Sequence, residues 1–204
     1  MWLVSTYNSS LKKLITKYKD LVIEIINEED YDLNSIDINR IYGKIYPSGS
    51  ELEFKPTTKH GIKVSENGIE RQSALILGFS GVTGTYENSY LIEGDNILIC
   101  CSSEVYSLNI NNLLLNWKNE FDFATCFGIY KFEGDFITHG ELQINRIDKN
   151  GNTKWTFGAR DIFVNPDGKT AFKIIKNKIE LIDWQGYKYV LNADGKILIE
   201  EKTT

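Results

Sequence analysis

One short pattern recurs four times along the chain, and its spacing limits the possible folds more than any other feature. Ile147-Asp148-Lys149-Asn150-Gly151-Asn152-Thr153-Lys154-Trp155 is echoed by Val64 to Gln72, by Leu108 to Trp117 with one extra residue, and by Leu191 to Ile199. With Gly68, Asn112, Gly151 and Gly195 taken as equivalent, the separations are 44, 39 and 44 residues. Upstream of each pattern lies a second turn signal between apolar runs: Glu93-Gly94-Asp95, Glu133-Gly134-Asp135, Lys176-Asn177-Lys178 and, more loosely, Pro47-Ser48-Gly49-Ser50. One unit therefore reads strand, turn, strand, loop, strand, turn, strand. Four antiparallel strands in about 40 residues is the size of a propeller blade.

The pattern predicts strands over 90–92, 97–100, 105–109 and 114–117 in the second unit, and over 127–132, 136–138, 142–148 and 153–157 in the third. In the fourth it predicts 171–175, 179–183, 187–191 and 196–200. The first unit is the least regular, with strands expected over 41–46, 51–55, 62–64 and 69–71. The expectation is an all-β, propeller-like array of about four short four-stranded units over 41–204, closed or open, with a β-sandwich as the alternative. Ahead of it, residues 1–40 read as a helix/strand cap. Leu11, Leu14, Ile15, Tyr18, Leu21, Val22 and Ile25 fall at helical spacing, with Asn8, Ser9 and Ser10 as capping candidates. The β-branched run Val22-Ile23-Glu24-Ile25-Ile26 also suits a strand, which would end the helix near Asp20.

A strand ending in Asp148, a turn at Gly151 and a strand carrying Trp155 resemble the repeat of quinoprotein-like (PQQ-type) β-propellers. Trp117 matches in the second unit, with Asn112 in the glycine place; the fourth keeps Asp194-Gly195 but has Ile199 for the tryptophan. The resemblance implies blades, with the tryptophans packed between neighbouring sheets. The family's quinone is not carried over, because no position matches its ligands, and no cofactor is expected.

The 204 residues carry 23 basic and 28 acidic side chains, a formal charge of -5. That balance disfavours a nucleic-acid partner, because few cations are available to displace counterions from phosphates. No apolar run approaches the roughly 20 residues that span a bilayer. The N-terminus lacks the basic and apolar regions of an export signal, so a cytoplasmic location is expected and no membrane partner. Cys100, Cys101 and Cys126 cannot all pair within one chain, and free thiols suit a reducing compartment. With His60 and His139 as the only histidines, the usual zinc spacings cannot be written. The Gly-rich segment Gly78 to Gly84 matches no phosphate-binding pattern.

In an up-and-down blade the connections alternate between two ends of the sheet. Compact turns gather on one face here, and nearly everything reactive falls on the other. That second face collects His60, Cys101 and the loop after it, His139-Gly140-Glu141, and Trp184 from within units. From between units it collects Tyr86-Glu87-Asn88, Asp122 to Cys126, Arg160-Asp161 and Asn165-Pro166-Asp167. The candidate binding face is therefore Tyr86, Glu87, Asn88, Cys101, Thr125, Cys126, His139, Glu141, Arg160, Asp161 and Trp184.

Each residue has two readings. His139 with Glu141 is either a base with its orienting carboxylate or a histidine satisfied by a loop carbonyl. Cys101 and Cys126 are either nucleophiles or small buried hydrophobes. Glu87 and Asn88 either hold a polar ligand or start a strand, and Arg160-Asp161 suits a solvated pair. Two functions follow. One is a non-catalytic module that binds a partner protein through this face, with Tyr86, Phe123, Phe127 and Trp184 as anchors, in an antitoxin- or immunity-like role. The other is a hydrolase or polar-ligand binder built on His139, Glu141, Glu87 and Asn88, which requires those four side chains to converge.

Overall fold

Alternation of side chains along short apolar strands builds this molecule. Asn96–Cys101 shows how: Ile97, Ile99 and Cys101 enter one apolar cluster, while Leu98 and Cys100 enter another on the opposite side of the same strand. A strand buried on both faces must lie inside a stack of sheets. The computed structural model describes residues 6–8, 13–35, 40–47, 55–164 and 171–203.

The first sheet contains β1 (Thr6–Asn8), β2 (Lys13–Tyr18), β3 (Leu21–Asn27), β4 (Lys44–Tyr46), β5 (Thr58–Glu66) and β6 (Ile69–Gly78), in the order β1-β2-β3-β5-β6-β4. Its four central strands run antiparallel, and β4 joins the edge parallel to β6. The second sheet is β7 (Tyr90–Glu93), β8 (Asn96–Cys101), β9 (Glu104–Asn109) and β10 (Leu115–Glu120). The third is β11 (Cys126–Phe132), β12 (Asp135–Gly140), β13 (Ile144–Ile147) and β14 (Thr153–Phe157). The fourth is β15 (Phe172–Ile175), β16 (Lys178–Ile182), β17 (Tyr187–Leu191) and β18 (Ile197–Lys202). The last three are four-stranded antiparallel meanders in chain order, and none of the four sheets closes on itself. The fold is a propeller-like array of four units, three of them four-stranded antiparallel sheets and the first an antiparallel meander extended at its edges.

Among the described residues no N-terminal helix is formed, Leu11 lying outside them. Residues 13–27 make the hairpin β2–β3, turning at Lys19, whose φ is 56°. Leu14 and Thr16 are buried between more exposed neighbours, a period of two, and the β-branched run forms β3, which pairs with β5. The helical spacing of the apolar residues was a coincidence of two adjacent strands. In the first unit, the strand expected over 51–55 falls almost wholly outside the described residues, as do Ser9, Ser10 and the 165–167 loop.

Three clusters fill the gaps between successive sheets. Ile23, Ile25, Ile62 and Ile76 meet Ile97, Ile99 and Tyr106 between the first and second. Leu98 and Cys100 meet Cys126, Ile129 and Phe136 between the second and third. Ile137, Ile144 and Phe132 meet Phe172, Leu181 and Tyr189 between the third and fourth. The outer strands add a repeated lock. Trp117 donates its indole N–H to the Lys149 carbonyl at 3.1 Å, and Trp155 donates to Ala193 at 2.8 Å. Each indole lies against a glycine turn of the next sheet: a Cβ on Gly151 would stand 2.8 Å from the Trp117 ring, and one on Gly195 2.6 Å from Trp155. Between the first two sheets the Tyr46 hydroxyl plays this part, donating to Leu113 at 3.1 Å.

The ends of the array are finished differently. Tyr31, Leu33 and Tyr42 pack on Leu75 and Leu77, covering the far face of β6. On the fourth sheet the strand registers place Lys173, Glu180, Lys188 and Glu201, interspersed with Ile182, Val190 and Ile199, on the face turned away from the third. Covering or charging a terminal face is how a stacked array ends without exposing its core.

Candidate functional site

The loops within units and the loops between units meet at one end of the sheets, and backbone hydrogen bonds stitch them together. Cys126 N–H donates to Ser102 O at 2.7 Å, Phe121 N–H to Ser103 O at 2.9 Å, and Glu141 N–H to Thr125 O at 2.8 Å. Phe163 N–H donates to Glu141 O at 2.7 Å and Trp184 N–H to Ile162 O at 2.8 Å. The Gly-rich segment joins the same seam through Gly81 N–H to Ala124 O at 2.9 Å and the Thr83 hydroxyl between Ser102 O and Cys126 O.

Asp122 is the centre of this seam. Its side chain is buried, Oδ1 accepts the N–H groups of Ala124 and Thr125, and Oδ2 accepts those of Leu142 and Gln143 at 2.8 Å each. A carboxylate shared by four backbone donors fixes two loops from neighbouring strands in one geometry. Gly140 has to be glycine here, because a Cβ would overlap the Asp122 carboxylate.

The histidines lie inside strands. His139 is on β12, stacked on Phe172 with ring centroids 4.6 Å apart and edge-on to Phe127 at 5.5 Å. Its Nε2 is buried without a partner, while the Phe163 backbone pairs with the ring. Burial pushes its pKa down to about 4. His60, on β5, is fully buried and neither ring nitrogen makes a well-formed hydrogen bond; burial pushes it down to about 4 as well, with the Lys59 backbone opposing weakly.

The three thiols are free and buried. Cys101 points toward the Thr58 carbonyl, 4.0 Å away, whereas Cys100 and Cys126 face each other with Sγ atoms 3.6 Å apart. Burial holds Cys100 and Cys101 well above the ordinary thiol range.

Glu87 and Asn88 form a short 3₁₀ turn, exposed, at the mouth of an open cleft of about 390 Å³ lined by Tyr90, Ile129, Tyr130 and Lys131. Tyr86, just before it, donates its hydroxyl to the Phe127 carbonyl. Arg160 is ion-paired to Glu200 at 2.7 Å over the Tyr187 ring. Asp161 accepts from Ile162 N–H and from Gln185. The residues expected to act together are thus divided. Thr125 and Glu141 share a backbone hydrogen bond, and Cys126 adjoins them; His139 turns its ring into the third and fourth sheets, and Glu87 and Asn88 belong to the cleft.

A different set stands out at the solvent boundary. Val82 is 69% exposed, Phe123 72%, Leu142 37% and Trp184 48%. Phe123 is between Asp122 and Ala124, Leu142 is held by Asp122, and Trp184 is held by Ile162, so each side chain stands on a pinned backbone. Val82 and Leu142 were not singled out from sequence. The available signal was an apolar residue among turn formers, as in Gly81-Val82-Thr83-Gly84, and Leu142 was read as the start of a strand. Carboxylates rim the same face at Glu120, Glu141 and Asp161.

Fold and loop geometry together define a propeller-like repeat protein with a stitched, aromatic and acidic loop face. No family model and no curated protein matches the chain. Among solved structures it is similar to the computationally designed Ika8 protein, at 8% identity and a TM-score of 0.52, covering 97% of this chain and 60% of that one. It is also similar to BamB from Moraxella catarrhalis, at 12% identity and a TM-score of 0.49 over 99% and 73% of the two chains. A europium-containing methanol dehydrogenase is similar at 14% identity and a TM-score of 0.44, over 57% of this chain and 24% of that one. The chain spans about 60% of the designed protein's length. These likenesses concern the fold alone. Among the described residues no helix is long and apolar enough to cross a membrane.

Proposed function

We propose that this chain is a non-catalytic interaction module that binds a partner protein through its loop face, the partner offering apolar pockets within a basic rim. The observation that carries this reading is the row Val82, Phe123, Leu142 and Trp184, exposed on hydrogen-bonded backbone. Rigid aromatic and aliphatic anchors lose little conformational freedom on binding, and such residues dominate interface energetics. The surrounding carboxylates favour a cationic partner and repel an anionic one. An antitoxin- or immunity-type role, with acidic loops occupying a basic partner's site, is one concrete form. The three free thiols suit a cytoplasmic location for it. A hydrolytic reading has less support, since His139 offers no solvent-facing nitrogen to act as a base.

Affinity capture at low and high salt tests the proposal, using the full chain, Phe123→Ser with Trp184→Ser, and Ile197→Ser as an exposed control on β18. The expected result is a protein retained by the wild type and by Ile197→Ser, weakened by salt, and lost from the double variant. Recovery of nothing at either salt, or equal recovery by the double variant, contradicts it.

A further inference from the structure

We propose that Cys100 and Cys126 are a redox-sensitive pair that closes a disulfide between the second and third sheets when the protein meets a peroxide. Cys100 lies on β8 and Cys126 opens β11, so the two thiols come from different sheets, yet their Sγ atoms are 3.6 Å apart. The backbone holds them there: Cys126 N–H donates to Ser102 O at 2.7 Å, and the Thr83 hydroxyl spans Ser102 O and Cys126 O. Strand alternation decides which neighbour takes part. Cys101, next in sequence, projects from the opposite face of β8 into the cluster of the first sheet. Closing the 3.6 Å between the sulfurs to the roughly 2.0 Å of a disulfide requires rotation of the two side chains toward each other.

The cover over the pair is thin. Leu91 and Ile129 belong to the same apolar cluster as Cys100 and Cys126, and both also line the open cleft together with Tyr130. Tyr86 is partly exposed, held by its hydroxyl bond to Phe127 O, and Tyr130 lines the open cleft beside Glu87 and Asn88. A small peroxide entering that cleft is therefore separated from the thiol cluster by one layer of side chains. The chemistry balances with hydrogen peroxide as oxidant. One thiol, as thiolate, attacks a peroxide oxygen; the O–O bond breaks, and the departing hydroxide takes up the thiol proton to give water and a sulfenic acid. The second thiol, losing its proton, displaces hydroxide from that sulfur, forming the S–S bond and a second water. The sulfurs lose two electrons and the peroxide gains them. Both thiols are buried, so a peroxide reaches them only when this layer of side chains opens.

The test uses the full-length native protein treated with hydrogen peroxide, then denatured, alkylated and mapped by mass spectrometry without reduction. The expected product has lost two hydrogens, joins Cys100 to Cys126 by fragment ions, leaves Cys101 alkylated, and is reversed by dithiothreitol. Its unfolding midpoint rises by roughly 5–10 °C. Cys101→Ser retains the crosslink, and Tyr86→Ala forms it several-fold faster. Alkylation of all three cysteines after peroxide, a crosslink through Cys101, or a disulfide between chains overturns the proposal; the wild-type map alone decides if Cys101→Ser or Tyr86→Ala does not fold.

Discussion

Oδ2 of Asp122 accepts the backbone N–H of Leu142 at 2.8 Å, joining the loop that leaves the second sheet to the loop within the third. That one contact connects stability to the surface proposed to bind a partner, because Leu142 and Phe123 are both exposed beside it.

Asp122→Ala leaves four backbone N–H groups without their acceptor, that of Thr125 buried and those of Ala124, Leu142 and Gln143 part-buried. Such a loss costs about 3 kcal/mol or more, since each buried unpaired donor keeps its desolvation penalty. Denaturant unfolding should show it, with a fall in the thermal midpoint of roughly 6–12 °C. A variant as stable as the wild type would show that the seam is not held by this carboxylate.

The indole locks make a graded prediction from three glycines with positive φ. Gly134, Gly151 and Gly195 have φ of 82°, 80° and 74°, and a Cβ on Gly134 meets nothing within 4 Å. Gly134→Ala therefore carries backbone strain alone, about 1 kcal/mol. Gly151→Ala and Gly195→Ala must also displace Trp117 and Trp155, and about 2–3 kcal/mol is expected for each. Equal costs for all three in chemical denaturation would remove the lock.

His60 and His139 predict the acid response. Both have folded pKa values lowered to about 4 from 6.5 by burial, so the unfolded chain binds protons first as pH falls. Their contribution is complete above pH 6.5, is lost as pH falls toward 4, and levels off below that. The loss is roughly 3 kcal/mol per histidine. Urea melts between pH 7 and 4 measure it. A His60→Leu variant should flatten about half of the slope, and an unchanged slope in that variant would contradict the assignment.

Much of the last three sheets was legible because their strands are short, apolar and separated by turn formers that need positive φ, as at Glu133-Gly134 and Gly151. Period two and turn chemistry are local, and they survive without tertiary context. The first sheet was not legible in that way. Leu14, Ile15, Tyr18, Leu21 and Val22 satisfy a helical period while belonging to two strands, and only pairing of β3 with β5 decides between the readings. The gathering of the loops at one end of the sheets follows from the alternation of connections. What their residues do depends on long-range partners that sequence does not show. His139 reads as a loop histidine until Phe172 and Phe163 close over it. Asp122 is one acid among many until Leu142 and Gln143 arrive.

The most direct measurement of the binding role is site-specific photo-crosslinking in cells. A benzophenone side chain is placed at Phe123, at Trp184 and, for comparison, at Ile197 on β18. The account predicts a crosslink from 123 and from 184 to the same basic protein and none to it from 197; equal labelling from all three positions, or none from 123 and 184, would contradict it.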